Sequence, residues 1–476
     1  MAFLPELILL GGALWLFIVS LGVGRVRLAR NAALAIGLAA VAASCISLGQ
    51  DALLFDGAYR VNAFSQGLKL ALAAGYVLVL WLSGDLPDIR PDAKPEYYLL
   101  MNVNVTGLVL LVSCVELITL VVVLELASFP LYLMVPLRRE RPEQRSQMEA
   151  AIKYMMFGVA ANGIMLFGMS YLFGLTGTTH LPLLMSRLPD VVETPVATLG
   201  LAMLWVGLYY KLAVFPFHFW TPDVYQGGSN ETASLIASLP KLGAVAVLVR
   251  FVMLATPEHA ALVTLLTGLA IASMFYGNLV ALVQKDFKRL LAFSGIAHAG
   301  YTLVGFVAMD VPGFTAALYY AVAYVFMVLA CFLVISRVSR DGANVALEDL
   351  AGLHRRSPLL AATLLVGVFG LAGIPPFAGF MGKFALLRAA LSRGHLALVV
   401  VSAINFVIAV YYYLVVIREA IFRAAEDRPP IRLDAATRLL CGLLIGGIVL
   451  LGVFPNHVLS ALATAVGGLH TAVAGS

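Results

Sequence analysis

Lys153, Lys211, Lys241 and Lys383 each stand inside a stretch that is otherwise apolar enough to cross a membrane, and they are half of the eight lysines in the chain. A lysine near the middle of a bilayer costs about 2.5–3.5 kcal/mol on insertion scales, so such positions point to function. An ammonium taken out of water gives up its proton more readily. Side chains of this kind can load, hold and release a proton and respond to a neighbour's charge, which is the chemistry of a relay. Snorkelling of the long side chain to the interface is the competing explanation. It suits Lys69, near a span end. It fails for Lys241, which follows Pro240 and lies among Ala237, Ser238, Leu239, Leu242, Gly243 and Ala244.

Glu125 places a carboxylate in the apolar run Leu120 to Tyr132. Its expected partner is Lys153, which enters the next helix from the same side at a comparable depth; a buried ion pair that only fixes helix register is the alternative. His298, between Ser294 and Tyr301, is a candidate relay group because imidazole titrates near neutral pH. A hydrogen-bonded core histidine is the rival reading. His218 lies where the backbone is broken and is as well explained by a structural role. Asp223 and Glu231 are candidates to line an aqueous inlet, although loop carboxylates are usually just solvated.

The elements that must position these groups are membrane helices. The 476 residues are 61% hydrophobic and only 12% charged, with mean hydropathy +0.95, about half the charged fraction of a soluble domain. The formal charge of +5 falls mainly in short loops between apolar runs, which marks membrane orientation and argues against nucleic-acid binding. Cys45, Cys114, Cys331 and Cys441 stand singly without metal-ligand spacing, as small core residues do. The stretch from Leu7 to Gly24 is expected to be a first span and not a secretory signal, since it follows Glu6 and has no basic start. The sequence contains no P-loop, dinucleotide-binding turn or nucleophile elbow.

Apolar runs of about 20 residues predict an all-α polytopic membrane protein with about fourteen spans, the last from Arg438 to Leu462. Arginine and lysine cluster after the first, third, fifth, ninth, eleventh and thirteenth spans, including Arg138, Arg139, Arg141 and Arg145. That alternation puts both termini on the outer side. Two spans are interrupted by proline, one from Lys211 to Asp223 and one from Gly370 to Lys383. Proline removes a helical hydrogen bond, and broken helices in corresponding positions point to inverted repeats. The expected organisation is a three-helix segment at 1–96, two inverted five-helix repeats at 97–258 and 259–420, and a last helix in 421–476.

The run from Lys211 to Gly227, with Pro216, His218, Trp220, Thr221, Pro222, Asp223, Tyr225 and Gln226, resembles the antiporter-like membrane subunits of respiratory complex I, most closely the subunit N branch in bacterial NADH:quinone oxidoreductases. Leu124 to Tyr132, Glu149 to Tyr154, Gly277 to Tyr301 and Gly373 to Phe384 carry the same resemblance. It implies a proton-translocating subunit driven by electron transfer elsewhere in the complex. It further implies Glu125 and Lys153 as a coupling pair, Lys211 and Lys241 as central lysines, and Lys383 toward the exit. No cofactor is implied in this chain; FMN, iron-sulfur clusters and quinone belong to partner subunits, and the chain's own partners are the other membrane-arm subunits and the lipid bilayer. The implied place is a bacterial inner membrane. Where the family has a Pro-Thr pair after Tyr-Gln-Gly, this chain has Gly228, Ser229, Asn230, Glu231 and Thr232. A subunit of a Na+/H+ antiporter or a membrane-bound hydrogenase, and a scaffold that does not pump, are the alternative readings.

Overall fold

A span in lipid must satisfy its own backbone, and the chain does so with helices. The computed structural model describes residues 1–22, 24–140, 146–191, 194–425 and 428–474, with side chains through residue 469. Helices α1 (Leu4–Ser20) and α2 (Val26–Ile46) precede a small antiparallel hairpin, β1 (Ala52–Leu54) and β2 (Tyr59–Val61), and α3 (Ala63–Ser83). Next come α4 (Lys94–Leu111), α5 (Leu117–Met134), α6 (Gln147–Thr176), the short α7 (Leu181–Arg187), α8 (Pro195–Leu212), α9 (Trp220–Gly227) and α10 (Asn230–Val252). The rest comprises α11 (Ala260–Ala281), α12 (Phe287–Val307), α13 (Val311–Val338), the short α14 (Leu353–Arg356), α15 (Pro358–Ala372), α16 (Ala378–Ser392), α17 (Leu396–Ile417), α18 (Ala435–Val453) and α19 (Pro455–Ala474). Among the described residues, eleven helices are long and apolar enough to cross a membrane, and α1 and α15 are shorter apolar helices.

Side-chain caps set many of the helix starts. Asn62, Glu116, Thr194, Ser229, Asp286, Asp310 and Asp434 each accept a hydrogen bond from the first turn they precede, meeting donors that lipid would leave unpaired.

Both proline interruptions are breaks. Helix α8 ends at Ala213 in the left-handed region, φ 64°, where the Val214 N–H turns back to the Tyr209 carbonyl at 2.9 Å. The freed Phe215 N–H donates to Ser273 Oγ at 3.0 Å. Helix α15 ends in the same way at Gly373, φ 82°, with the Ile374 N–H returning to the Phe369 carbonyl at 3.0 Å. The expected single last helix from Arg438 to Leu462 is corrected: it divides at Pro455, which cannot continue the hydrogen-bond ladder of α18. Helix α19 turns aside and its Leu469 lies beside hairpin residue Leu53 and the α7 residues Leu181 and Leu183 around one cavity.

The hairpin defines one face of the molecule. There Tyr59 pairs with Cys114, and Met1 accepts from Ser47 at 2.9 Å. The opposite face is rich in arginine and is tied together by Arg138, buried to 1%, which donates to Asp88 Oδ2 at 2.6 Å, the Gln226 carbonyl at 2.9 Å, the Gly342 carbonyl at 3.1 Å and Asn344 Oδ1 at 3.0 Å. Arg141 and Arg145 lie outside the described residues. Helix α10 and, apart from Arg289 in its first turn, helix α12 are buried between the faces. Large apolar side chains on α1, α6 and α17, such as Leu14, Phe167 and Val407, point outward, where lipid or neighbouring subunits meet them.

Two close packings recur. A Cβ on Gly107 of α4 would stand 2.5 Å from the Ala127 nitrogen of α5, and a Cβ on Gly277 of α11 would stand 2.5 Å from the Ala297 nitrogen of α12. Neither backbone can yield cheaply. Gly277→Leu should therefore cost roughly 1–3 kcal/mol through overpacking, read as a lower thermal midpoint of the detergent-purified protein; an unchanged midpoint would contradict this packing.

Candidate functional site

Lys211 stands in the last turn of α8, where the helix breaks inside the molecule, and is 6% exposed. Its Nζ donates to Ser128 Oγ on α5 and lies over the rings of Tyr132 and Tyr210 at 5.7 and 5.5 Å. Glu125 stands one turn before Ser128 on the same helix. Asn162 of α6 donates to Glu125 Oε1. The half-buried carboxylate thus has an amide to hold it and an ammonium to respond to.

Lys153 is elsewhere. Its Nζ pairs with Glu149 at 2.6 Å and Asp223 at 2.8 Å, and its side chain is 38% exposed. Arg289 binds the other oxygen of Asp223 at 3.0 Å. The expected Glu125 to Lys153 pair is therefore corrected. Lys153 lies nine residues before Asn162, the α6 residue that does reach Glu125, and nine residues of helix span about 13 Å. Asp223, a candidate inlet group, is committed to this exposed ion-pair cluster.

Pro240 of α10 lines a small cavity with Lys211, and the next residue, Lys241, lines another with Leu212, Gly295, His298, Tyr320 and Tyr324. Lys241 is 6% exposed, and its Nζ has no hydrogen-bond partner among the described residues. It rests over Tyr324 at 5.3 Å and Tyr225 at 6.0 Å. These π faces attract the ammonium, yet leave its protons free to be passed on. Gly295 makes the room, since a Cβ there would stand 2.9 Å from Nζ.

His298 closes the gap between Lys241 and Lys383. Its Nδ1 is 2.5 Å from Tyr320 Oη and its Nε2 is 3.0 Å from Tyr413 Oη, so each nitrogen has a hydroxyl with which to exchange a proton. The ring also packs edge-on against Tyr301, with centroids 5.8 Å apart. Over Tyr301 lies Lys383 Nζ, 4.9 Å from the centroid. Lys383, 3% exposed on α16, reaches across the second break and donates to the Leu371 and Ala372 carbonyls at 2.9 and 3.0 Å. Those carbonyls end the half-helix α15, where the helix dipole favours a cation. Tyr301 Oη accepts from Asn278, which also donates to Asn405 Oδ1 at 3.0 Å and accepts from Tyr412 at 3.0 Å.

The result is a series that begins at the half-buried Glu125 and continues through the buried Lys211, Lys241, His298 and Lys383. It runs through both helix breaks. Residues 114–409 match the family described as NADH:quinone oxidoreductase/Mrp antiporter, TM. The chain belongs to that family. A relative from Opitutus terrae named NADH-quinone oxidoreductase subunit N 2 is 61% identical, with 99% of this chain and 98% of the relative covered. A chain of respiratory complex I from Thermus thermophilus superposes with TM-score 0.83 at 32% identity, covering 96% of this chain and 99% of that one. A chain of the Mrp complex from Dietzia shares the fold, with TM-score 0.86 at 21% identity over 98% and 97% of the two chains.

Members of this family are polytopic membrane proteins, as composition and helices show here. Among the described residues no group of three or more His, Cys, Asp or Glu could hold a metal ion. His218 has both ring nitrogens without a hydrogen-bond partner among the described residues and is packed against Phe215, Phe219 and Tyr276. Sequence reasoning missed the hydroxyl and amide groups that link the series: Ser128, Asn162, Tyr320, Asn405 and Tyr413. A search for polar residues inside apolar runs would have found Asn162 and Asn405. The tyrosines carry no such signal.

Lys69 also departs from expectation. It does not snorkel: its Nζ meets Glu6 at 2.6 Å with both side chains 0% exposed. Tyr59 donates to the same carboxylate at 2.5 Å. The span containing Lys69 is covered on its hairpin side by α1 and the hairpin, so the lysine has no lipid interface to reach.

Proposed function

We propose that this chain is subunit N of a bacterial NADH:quinone oxidoreductase, a membrane-arm subunit that translocates protons while electrons pass from NADH to quinone in partner subunits. The observation that carries this reading is the unpartnered ammonium of Lys241 placed between Lys211 and His298, in line with Lys383. Each break presents the carbonyl end of a half-helix near its lysine, the arrangement by which discontinuous helices hold cations at membrane depth. Glu125 stabilises an ammonium on Lys211, and each protonated lysine disfavours the charge of the next, an interaction worth kcal/mol at low dielectric. FMN, iron-sulfur clusters and quinone sites are assigned in this reading to partner subunits. The other membrane-arm subunits and the bilayer take the exposed apolar faces of α1, α6 and α17.

Counting α1, α4 and the broken α15 to α16 beside the eleven long helices supports a reading of fourteen spans among the described residues. The repeats at 97–258 and 259–420 are supported by the matched glycines Gly107 and Gly277. They are supported also by matched corners: Leu117 N–H to Thr179 O at 2.9 Å with Leu181 N–H to Val115 O at 2.8 Å, and Phe287 N–H to Val345 O with Leu347 N–H to Lys285 O, both at 2.9 Å. The first corner lies on the hairpin face and the second on the arginine-rich face, as inversion requires. The arginine-rich face is the cytoplasmic one, so the hairpin and both termini are periplasmic, in the inner membrane.

The test is NADH-driven acidification of proteoliposomes holding the whole complex, in sodium and in sodium-free choline buffer. Equal proton flux in both is expected. Flux that requires sodium would replace this reading with sodium-proton exchange.

A further inference from the structure

Helix α10 is wholly buried, and between its first turn and Lys241 its polar side chains lie along one stripe. Glu231, Ser234, Ser238 and Lys241 follow at spacings of three, four and three residues, which on a helix of 3.6 residues per turn confines them to an arc of roughly 80°. All four are at most 6% exposed. Glu231 stands in the first turn, beneath the loop at Gly228 and Ser229 on the arginine-rich face, and it is fully buried, with its own backbone N–H and the Ser229 hydroxyl beside it but no well-aligned hydrogen bond to either carboxylate oxygen among the described residues. The nearby Ser229 hydroxyl is engaged with Thr232 at 2.9 Å. Lys288, close enough to act on the carboxylate, gives its own hydrogen bond to the Gly228 carbonyl at 2.8 Å. The other charged and titratable groups facing Glu231 are Asp88, Tyr97, Tyr98, Lys94 and Arg337.

A fully buried carboxylate held this loosely is costly. The hydroxyls beyond it are oriented alike: Ser234 donates to the Glu231 carbonyl and Ser238 to the Ser234 carbonyl, each at 2.7 Å, leaving their lone pairs for an incoming proton donor. On the half-helix α9 packed beside them, Thr221 Oγ1 and Tyr225 Oη are buried without partners. The ten residues from Glu231 to Lys241 span about 15 Å, and the serines divide this into steps of about 5 Å, each short enough for one bridging water.

We propose that Glu231 is the proton-loading carboxylate of the arginine-rich face and that the Ser234 and Ser238 hydroxyls pass its proton to Lys241. A proton from water joins the carboxylate; it is relayed by hydroxyl and water, each accepting one proton as it releases another, and ends on the neutral Lys241 amine. Glu231 returns to its anionic form, and no electron moves. This inference rests on the proton-translocating reading above and adds where the protons come in.

The experiment compares Glu231→Gln, Glu231→Asp and Lys241→Ala in the whole complex in proteoliposomes, normalised to assembled subunit, across pH 6 to 8. Glu231→Gln should lower proton flux about tenfold at pH 8 and less at pH 6, because loading then depends on free hydronium. Glu231→Asp should restore most of the flux. Normal flux in Glu231→Gln with none in Lys241→Ala overturns the inlet and leaves the relay standing. Equal losses in Gln and Asp variants at every pH assign Glu231 a structural part and overturn the inlet too. Normal flux in Lys241→Ala overturns the relay itself.

Discussion

Lys241→Ala reduces proton flux of the reconstituted complex to background, a loss of more than tenfold. The expectation follows from what surrounds the ammonium: two tyrosine rings, a glycine that leaves it room, and no hydrogen-bond acceptor among the described residues. A lysine kept for structure would be paired, since an isolated buried charge is expensive. This one is held by π faces that tolerate either protonation state. Lys241 also stands where the series is thinnest, between the cavity that Lys211 shares and the cavity of His298. Lys241→Arg sharpens the test, because a guanidinium keeps the charge and cannot release its proton; its flux should fall as far as that of the alanine variant. Acidification measured with an entrapped pH indicator, against NADH oxidation in the same vesicles, reads both. Near-normal flux in either variant would remove Lys241 from the path.

How much of this was legible in sequence depends on the physics of each residue. Lys211, Lys241 and Lys383 stood out because a charge inside an apolar run is improbable without a use. The two breaks stood out because proline cannot sit unnoticed in a helix interior. Glu125 was found for the same reason as the lysines, while its neighbour was misassigned. Helix α6 is thirty residues long, more than a bilayer requires, and the depth of Lys153 cannot be read from its distance to Glu125 along the chain. His298 was visible as a titratable group, but its two hydroxyl partners come from 22 and 115 residues away, a separation no local pattern encodes. The hairpin, with strands of three residues, lies below the length at which alternation can be recognised.

Lys69→Met should destabilise the protein by about 3–5 kcal/mol, the usual consequence of leaving one member of a buried pair without the other. The snorkelling reading predicts almost no effect, so the two accounts separate cleanly. In the structure the Glu6 carboxylate would lose its ammonium at 2.6 Å and keep only the Tyr59 hydroxyl at 2.5 Å. The nearby cation Arg250 keeps its Nη1 on the Cys114 carbonyl at 2.5 Å and its guanidinium over Phe64 at 5.2 Å. Because Glu6 is on α1, Lys69 on α3 and Arg250 on α10, this cluster joins the first three helices to the helix that carries Lys241. The double variant Glu6→Gln, Lys69→Met removes both charges together and should recover most of the loss, since apolar and neutral replacements of a whole buried pair are often tolerated. Thermal midpoints of the purified complex, with the amount of subunit retained in membranes, give the readout. A single variant as stable as the parent would show that the pair does not hold the first three helices in place; a double variant no better than the single would show that the ammonium is needed for something other than neutralising Glu6.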